Sequence, residues 1–172
     1  METVNTAPAN AQNWYIAYTL PRHEKAIAQR LGVDKIPCYV PLYSETRTWK
    51  ERKVKLELPL FPCYVFVRMF IEKKARLLSA PGVIRLLTVS GEAVVFPNEE
   101  MDALQSALEK WSARPCPFHT SGKRVLLKSG PFAGLEGTIL RRSGKQRLIV
   151  TLDLIKSSIL LDIDIADVQL SA

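Results

Sequence analysis

A change of hydrophobic pattern near residue 113 constrains this chain more than any other feature. Residues 113–122 read ARPCPFHTSG, with two prolines among small and polar residues. Before this stretch apolar residues recur at both helical and strand spacing. After it no helical period survives. Short apolar runs at Arg124–Lys128, Gly137–Arg141, Leu148–Leu152, Ile159–Ile163 and Ala166–Leu170 are broken by Ser129-Gly130-Pro131, Ser143-Gly144 and polar interruptions, a spacing suited to a small barrel. A chain of 172 residues, 47% of them apolar, can hold one medium domain or two small ones. The punctuation favours two: a polar tail over 1–12, a mixed domain over 13–112, a linker over 113–121 and an all-β domain over 122–172.

Within the mixed segment, Trp14–Thr19 (WYIAYT) is apolar enough for a buried strand. Pro21 stops it before a helix over His23–Leu31, with Ile27 and Leu31 four apart and Gly32 as the stop. Cys38–Tyr43 reads as a second strand, and the basic stretch Ser44–Lys55 as an exposed hairpin tip. In LELPLFPCYVFVRM, Leu56–Met69, the prolines cannot donate ladder hydrogen bonds, so Cys63–Arg68 is the strand proper. Alternation puts Tyr64, Phe66 and Arg68 on one face and Cys63, Val65 and Val67 on the other. A short helix over Glu72–Leu78, a turn at Pro81-Gly82, a strand over Val83–Val89 and a helix capped by Asn98 and running to about Trp111 complete the segment.

Lys and Arg outnumber Asp and Glu 24 to 17, a net charge of +7, which favours an anionic partner such as nucleic acid. Cys38, Cys63 and Cys116 form no CxxC pair and read as reduced thiols, not metal ligands. The N-terminus lacks a signal-peptide pattern and no run of 18 apolar residues occurs, so a cytoplasmic chain without membrane spans is expected. HExxH, Walker, GxSxG and GxGxxG motifs are absent, and His23 and His119 have no evident catalytic or metal-ligand partners. Neither an enzyme nor a bound cofactor or metal is expected.

Taken in order, WYIAYT with HEK, ELPLFPCYVFVRM, APGVIRLL and GKRVLLKSGPFAGLEGTI resemble the NusG family of transcription elongation factors over almost the whole chain after residue 12. The resemblance implies an α+β fold: an N-terminal NGN domain, an antiparallel sheet flanked by helices, followed by a C-terminal KOW domain, an SH3-like five-stranded β-barrel around Gly130–Gly134 and Gly137. The family usually places Gly between the motif proline and tyrosine. Here the residue is Cys63, which suggests that no positive φ is needed. ELPLFP and PRHEK look more like the specialised RfaH and UpxY paralogues, which act on particular long operons, than like housekeeping members.

The same resemblance implies which residues meet partners. An apolar patch of Tyr18, Phe61, Tyr64 and Phe66 would dock on the coiled-coil clamp helices of the RNA polymerase largest subunit; Trp14, Tyr15, Val65 and Val67 are left to the core. Lys73 and Lys74 would approach the opposite polymerase pincer. Arg22, His23 and Lys25, at a helix start, suit contact with non-template DNA in the transcription bubble. Leu154 and Ile155 lie where relatives hold an aromatic that binds Rho or the ribosomal protein NusE. The basic run Arg47, Lys50, Arg52, Lys53 and Lys55 around Trp49 could track upstream nucleic acid or only aid solubility, and Arg141, Arg142, Lys145 and Arg147 could meet RNA. The KOW domain is expected as an ordinary barrel on a flexible linker, leaving Tyr64 and Phe66 accessible on a monomer. A ribosome-associated RNA-binding KOW protein is the rival reading, and it leaves LFPCYVF and PGV unexplained.

Overall fold

In the computed structural model the described residues are 11–50, 52–117, 123–127, 136–142, 145–162 and 170–171. The first elements are β1 (Asn13–Thr19), α1 (Glu24–Val33), β2 (Cys38–Tyr39) and a hairpin of β3 (Leu42–Trp49) with β4 (Arg52–Pro59). There follow β5 (Tyr64–Met69), a 3-10 turn at Ile71–Lys73, α2 (Lys74–Leu78), β6 (Val83–Leu86), β7 (Thr88–Val89), β8 (Glu92–Ala93), β9 (Val95–Phe96) and α3 (Asn98–Lys110). The remainder is β10 (Ala113–Cys116), β11 (Lys123–Leu127), β12 (Glu136–Arg142), β13 (Lys145–Leu152), a 3-10 turn at Asp153–Ile155, β14 (Ser157–Asp162) and β15 (Leu170–Ser171). The chain divides into two compact units, Met1–Val40 with Phe61–Met101 and Pro41–Leu60 with Asp102–Ala172.

In the first unit an antiparallel sheet runs β2-β5-β1-β6, with β9 also on β1. Because β1 is central and apolar on both faces, it serves two packing layers. Tyr15 and Ala17 join Val65, Val67 and Met69 on one face, covered by Ile27 and Leu31 of α1 and Leu77 of α2. Each such aliphatic side chain taken out of water contributes roughly 1.5–3 kcal/mol. On the other face the Phe66 ring packs edge-on to Phe61, centroids 6.0 Å apart, and against Phe96 at 5.3 Å. Phe61 and Phe66 are 1% and 0% exposed, so the expectation that both rings face outward is corrected. Alternation assigns Phe66 to the same face as Tyr64, but at Phe66 that face is a second core layer.

Several boundaries moved for identifiable reasons. Pro41, whose ring removes a donor, separates β2 from β3 in what reads as one strand. The basic stretch after it lies in a mostly exposed hairpin, as expected, and the pairing extends beyond it in full register from Leu42↔Pro59 to Trp49↔Arg52. Helix α1 runs past Gly32 to Val33, and the left-handed residue beyond it is Lys35, φ 54°. Helix α3 begins at Asn98, where the carbonyl of Pro97 accepts the N–H of Met101 at 3.0 Å, and it buries Met101, Leu104 and Ala107.

In the second unit a six-stranded antiparallel sheet follows the order β10-β14-β13-β12-β11-β15. Five of these strands fall near the runs expected for the all-β segment. The sixth, β10, occupies the start of the expected linker and pairs Ala113↔Leu161 through Cys116↔Ser158. Pro115 is tolerated there because β10 is an end strand of the sheet, where an N–H can be forgone. The Gly130–Gly134 turn, residues 118–121 of the linker and residues 1–10 of the tail lie outside the described residues.

Candidate functional site

The sequence motifs that are far apart in the chain meet at one end of the first sheet. Strand β1 finishes at Thr19, whose N–H donates to the Cys63 carbonyl at 2.8 Å, and the next amide, Leu20, donates to the Gly82 carbonyl at 2.8 Å. The chain turns through Arg22, φ 66°, into α1, and the first helical side chain, Glu24, is folded inward. Its Oε1 accepts the Cys63 N–H at 2.7 Å, and Glu24 is only 2% exposed. The WYIAYT, HEK, LFPCYVFV and PGV segments are therefore tied through the backbone of one turn.

Cys63 has φ 69°, in the left-handed region. The expectation that a cysteine here means no positive φ is thus overturned. The turn that reverses the chain between Phe61 and β5 sets the backbone, and the Glu24 carboxylate holds its amide; the cysteine tolerates the conformation at a cost of about 1–2 kcal/mol. Gly82 is constrained differently. Its φ is 95°, and a Cβ would lie 3.2 Å from Ile27 Cδ1 and 3.3 Å from His23 Cβ, so both conformation and space call for glycine. Burial, and then the Glu24 charge, push the Cys63 thiol above its ordinary value, so it is neutral at physiological pH.

On the outer side of this turn stand Tyr18 and Tyr64, cross-strand partners with ring centroids 5.4 Å apart and planes tilted by 57°. Both are half-buried. On the other edge of β1, Arg85 of β6 pairs with Tyr18 and sets its guanidinium carbon 5.4 Å from the Tyr18 ring centroid. Register slips immediately after, Thr19 pairing with Val83, so Ile84 is the extra residue of a bulge and is exposed. Such a bulge re-aims side chains at a sheet edge. Burial, followed by the neighbouring Tyr18, raises the Tyr64 phenol, with Arg85 opposing.

The other expected residues are placed as follows. Arg22, His23 and Lys25 are exposed at the start of α1, directly after the Tyr18 end of β1. His23 Nδ1 donates to the Pro21 carbonyl at 3.0 Å, leaving Nε2 as the outward nitrogen. Lys73, exposed, and Lys74, half-buried, follow the opposite end of β5 from Tyr64, which at ~3.3 Å per residue is roughly 16 Å along the strand. In the second unit Leu154 is 38% exposed, but Ile155 is buried at 4% within the 3-10 turn that Lys156, φ 48°, terminates. The apolar tip expected of both residues is therefore Leu154 alone. Glu24 and Arg85 escaped the sequence reading; an acid in a first helical turn and a lone arginine after PGV are weak signals. Among the described residues no three His, Cys, Asp or Glu side chains are grouped to hold a metal, and no helix is long and apolar enough to cross a membrane.

The family profile described as transcription termination factor nusG matches residues 12–105, more than half of the chain. This chain belongs to the NusG family. NusG of Vibrio parahaemolyticus, named a transcription termination/antitermination protein, is 28% identical over 145 residues, spanning 76% of this chain and 80% of that protein. NusG of Rickettsia bellii, similarly named, is 21% identical over 149 residues, 80% of this chain and 78% of that one. A solved structure concerned with domain interaction in Thermotoga maritima NusG superposes with a TM-score of 0.59 at 22% identity, covering 94% of this chain and 98% of that chain. At that identity the likeness speaks for the fold, and the α+β NGN architecture is common to the two.

Proposed function

We propose that this NusG-family protein is a non-enzymatic, cytoplasmic transcription elongation and antitermination factor that docks on the clamp helices of RNA polymerase through Tyr18 and Tyr64. The observation that carries the reading is the half-exposed Tyr18–Tyr64 pair, two amphipathic rings held rigidly by paired strands at the place where the family motifs converge. Tyrosines of this kind anchor interfaces because each offers a large apolar face and a polar tip. Phe61 and Phe66 support the patch from beneath and do not themselves touch the partner. Bound there, the domain bridges the cleft, favours the closed clamp and so reduces pausing and termination, on particular long operons, a reading supported by the likeness of ELPLFP and PRHEK to specialised paralogues. The effect requires tighter binding to the elongating than to the paused polymerase, since equal affinity shifts nothing.

Lys73 and Lys74 reach toward the opposite pincer, Arg22, His23 and Lys25 toward non-template DNA, and the C-terminal sheet, read as a KOW barrel over 122–172, offers Leu154 to Rho or NusE. The test is the full-length Tyr18→Ala/Tyr64→Ala protein against cognate core polymerase. Each lost anchor should cost about 2 kcal/mol, roughly thirtyfold in affinity, with pausing in a single-round transcription assay returning to the factor-free level. A double variant that keeps its thermal unfolding midpoint and still binds polymerase as the parent does would refute the docking site.

A further inference from the structure

Arg85 sits at the rim of the tyrosine pair without an acidic partner. Among the described residues no carboxylate lies within ion-pair distance of its guanidinium, which rests against the Tyr18 ring and near enough to Tyr64 to act on its phenol. A guanidinium resting against an aromatic face keeps its edge N–H donors free for a planar acceptor, and the stacking limits the rotamer freedom that an exposed arginine would otherwise lose on binding. The Tyr18 and Tyr64 hydroxyls point to the same need, since neither is hydrogen-bonded among the described residues. The exposed Ile84 at the bulge adds an apolar edge. Side by side, then, stand a preorganised fork for an oxyanion, two aromatic faces and an aliphatic residue.

We infer that Arg85 is a specificity-determining docking residue that receives a carboxylate from the partner helix, while an apolar side chain about one helical turn away rests on Tyr18 and Tyr64. The inference rests on the proposed polymerase docking and names the chemistry of its partner: an α-helix carrying Asp or Glu three or four residues from an aliphatic residue, a spacing that puts both on one helical face. A purely apolar helix would leave the guanidinium edge desolvated and unpaired, and a basic one would be repelled, so the residue selects as well as attracts.

The experiment is a titration of full-length protein against cognate core RNA polymerase at a series of KCl concentrations, with thermal unfolding of every variant measured in parallel. Arg85→Ala is expected to weaken binding about tenfold at low salt and to flatten its salt dependence, and Arg85→Glu to weaken it further. Arg85→Lys, which keeps the charge but not the fork, should fall between parent and Arg85→Ala with the parental salt slope, and carries the test if Arg85→Ala does not fold. Arg30→Ala removes equal charge from α1, on the opposite face of the sheet, and should behave as the parent. Parental affinity for Arg85→Ala, or weakened binding with an unchanged salt slope, overturns the carboxylate assignment. Absence of binding by the parent protein overturns the polymerase reading, and the inference with it.

Discussion

Glu24 is the residue whose removal should do most damage for its size. Its carboxylate is withdrawn almost wholly from water and spends itself on one backbone donor, the Cys63 N–H at 2.7 Å. Hydrogen bonds with an ionised partner contribute about 1.5–3 kcal/mol net, and a buried donor left unmatched costs a further share of its desolvation. Glu24→Ala should therefore destabilise by roughly 2–4 kcal/mol, which for a chain of this length lowers the midpoint by about 5–12 °C. Glu24→Gln keeps an acceptor oxygen but not the charge, and should lose about half as much. Urea unfolding read by tryptophan fluorescence is a suitable assay, because Trp14 lies within β1. The turn that Glu24 clasps supplies an independent check. At an ordinary site alanine outranks glycine by roughly 0.5–1 kcal/mol, but with φ 69° at Cys63 the order should reverse, Cys63→Gly being more stable than Cys63→Ala. Equal urea midpoints for Glu24→Ala and the parent, or alanine ahead of glycine at position 63, would refute the clasp.

Two further outcomes separate core from surface and charge from burial. Phe66→Ala should cost about 3–5 kcal/mol of stability, as expected for a fully buried ring, whereas Phe66→Leu should fold and retain polymerase affinity; a leucine variant that is stable yet loses binding would put Phe66 back on the contact surface. Cys63 has a thiol raised first by burial and then by Glu24, so the folded protein favours the protonated thiol, a preference present below the ordinary thiol value of about 8.5 and lost as pH rises through the raised one. Iodoacetamide labelling of Cys63, followed by peptide mass spectrometry, should stay slow through about pH 8 and accelerate only at higher pH. Glu24→Gln should move that acceleration to lower pH, and an unmoved profile would remove the carboxylate from the cause.

What could be read from the chain depended on whether a signal was local or shared. Strand alternation correctly grouped Tyr64 with Phe66 and Val65 with Val67, since side-chain period is a property of one strand. It could not tell that Phe61 and Phe96 close over Phe66 while Tyr64 stays half-open, because that depends on the turn before the strand and on β9, thirty residues on. The prolines of ARPC suggested a linker, yet an end strand accepts Pro115, and only the pairing with β14 distinguishes the two. Cysteine at position 63 argued against a left-handed turn by local preference; the preference lost to a turn whose Cys63 N–H donates to Glu24, on a helix 39 residues earlier. Arg85 looks like any surface cation until its cross-strand pairing with Tyr18 is known. Pro115 and Ile155 were misjudged in the second unit, but Cys63, Phe61, Phe66, Glu24 and Arg85 all belong to the first, and Cys63 and Arg85 are the chain or strand neighbours of the Tyr18–Tyr64 pair. A left-handed Cys63, the carboxylate that clasps its amide and a guanidinium resting on the Tyr18 ring come together at one end of the first sheet, and strain such as that at Cys63 tends to collect at functional sites. Their concentration around two half-exposed rings is the reason to look for the protein's partner there.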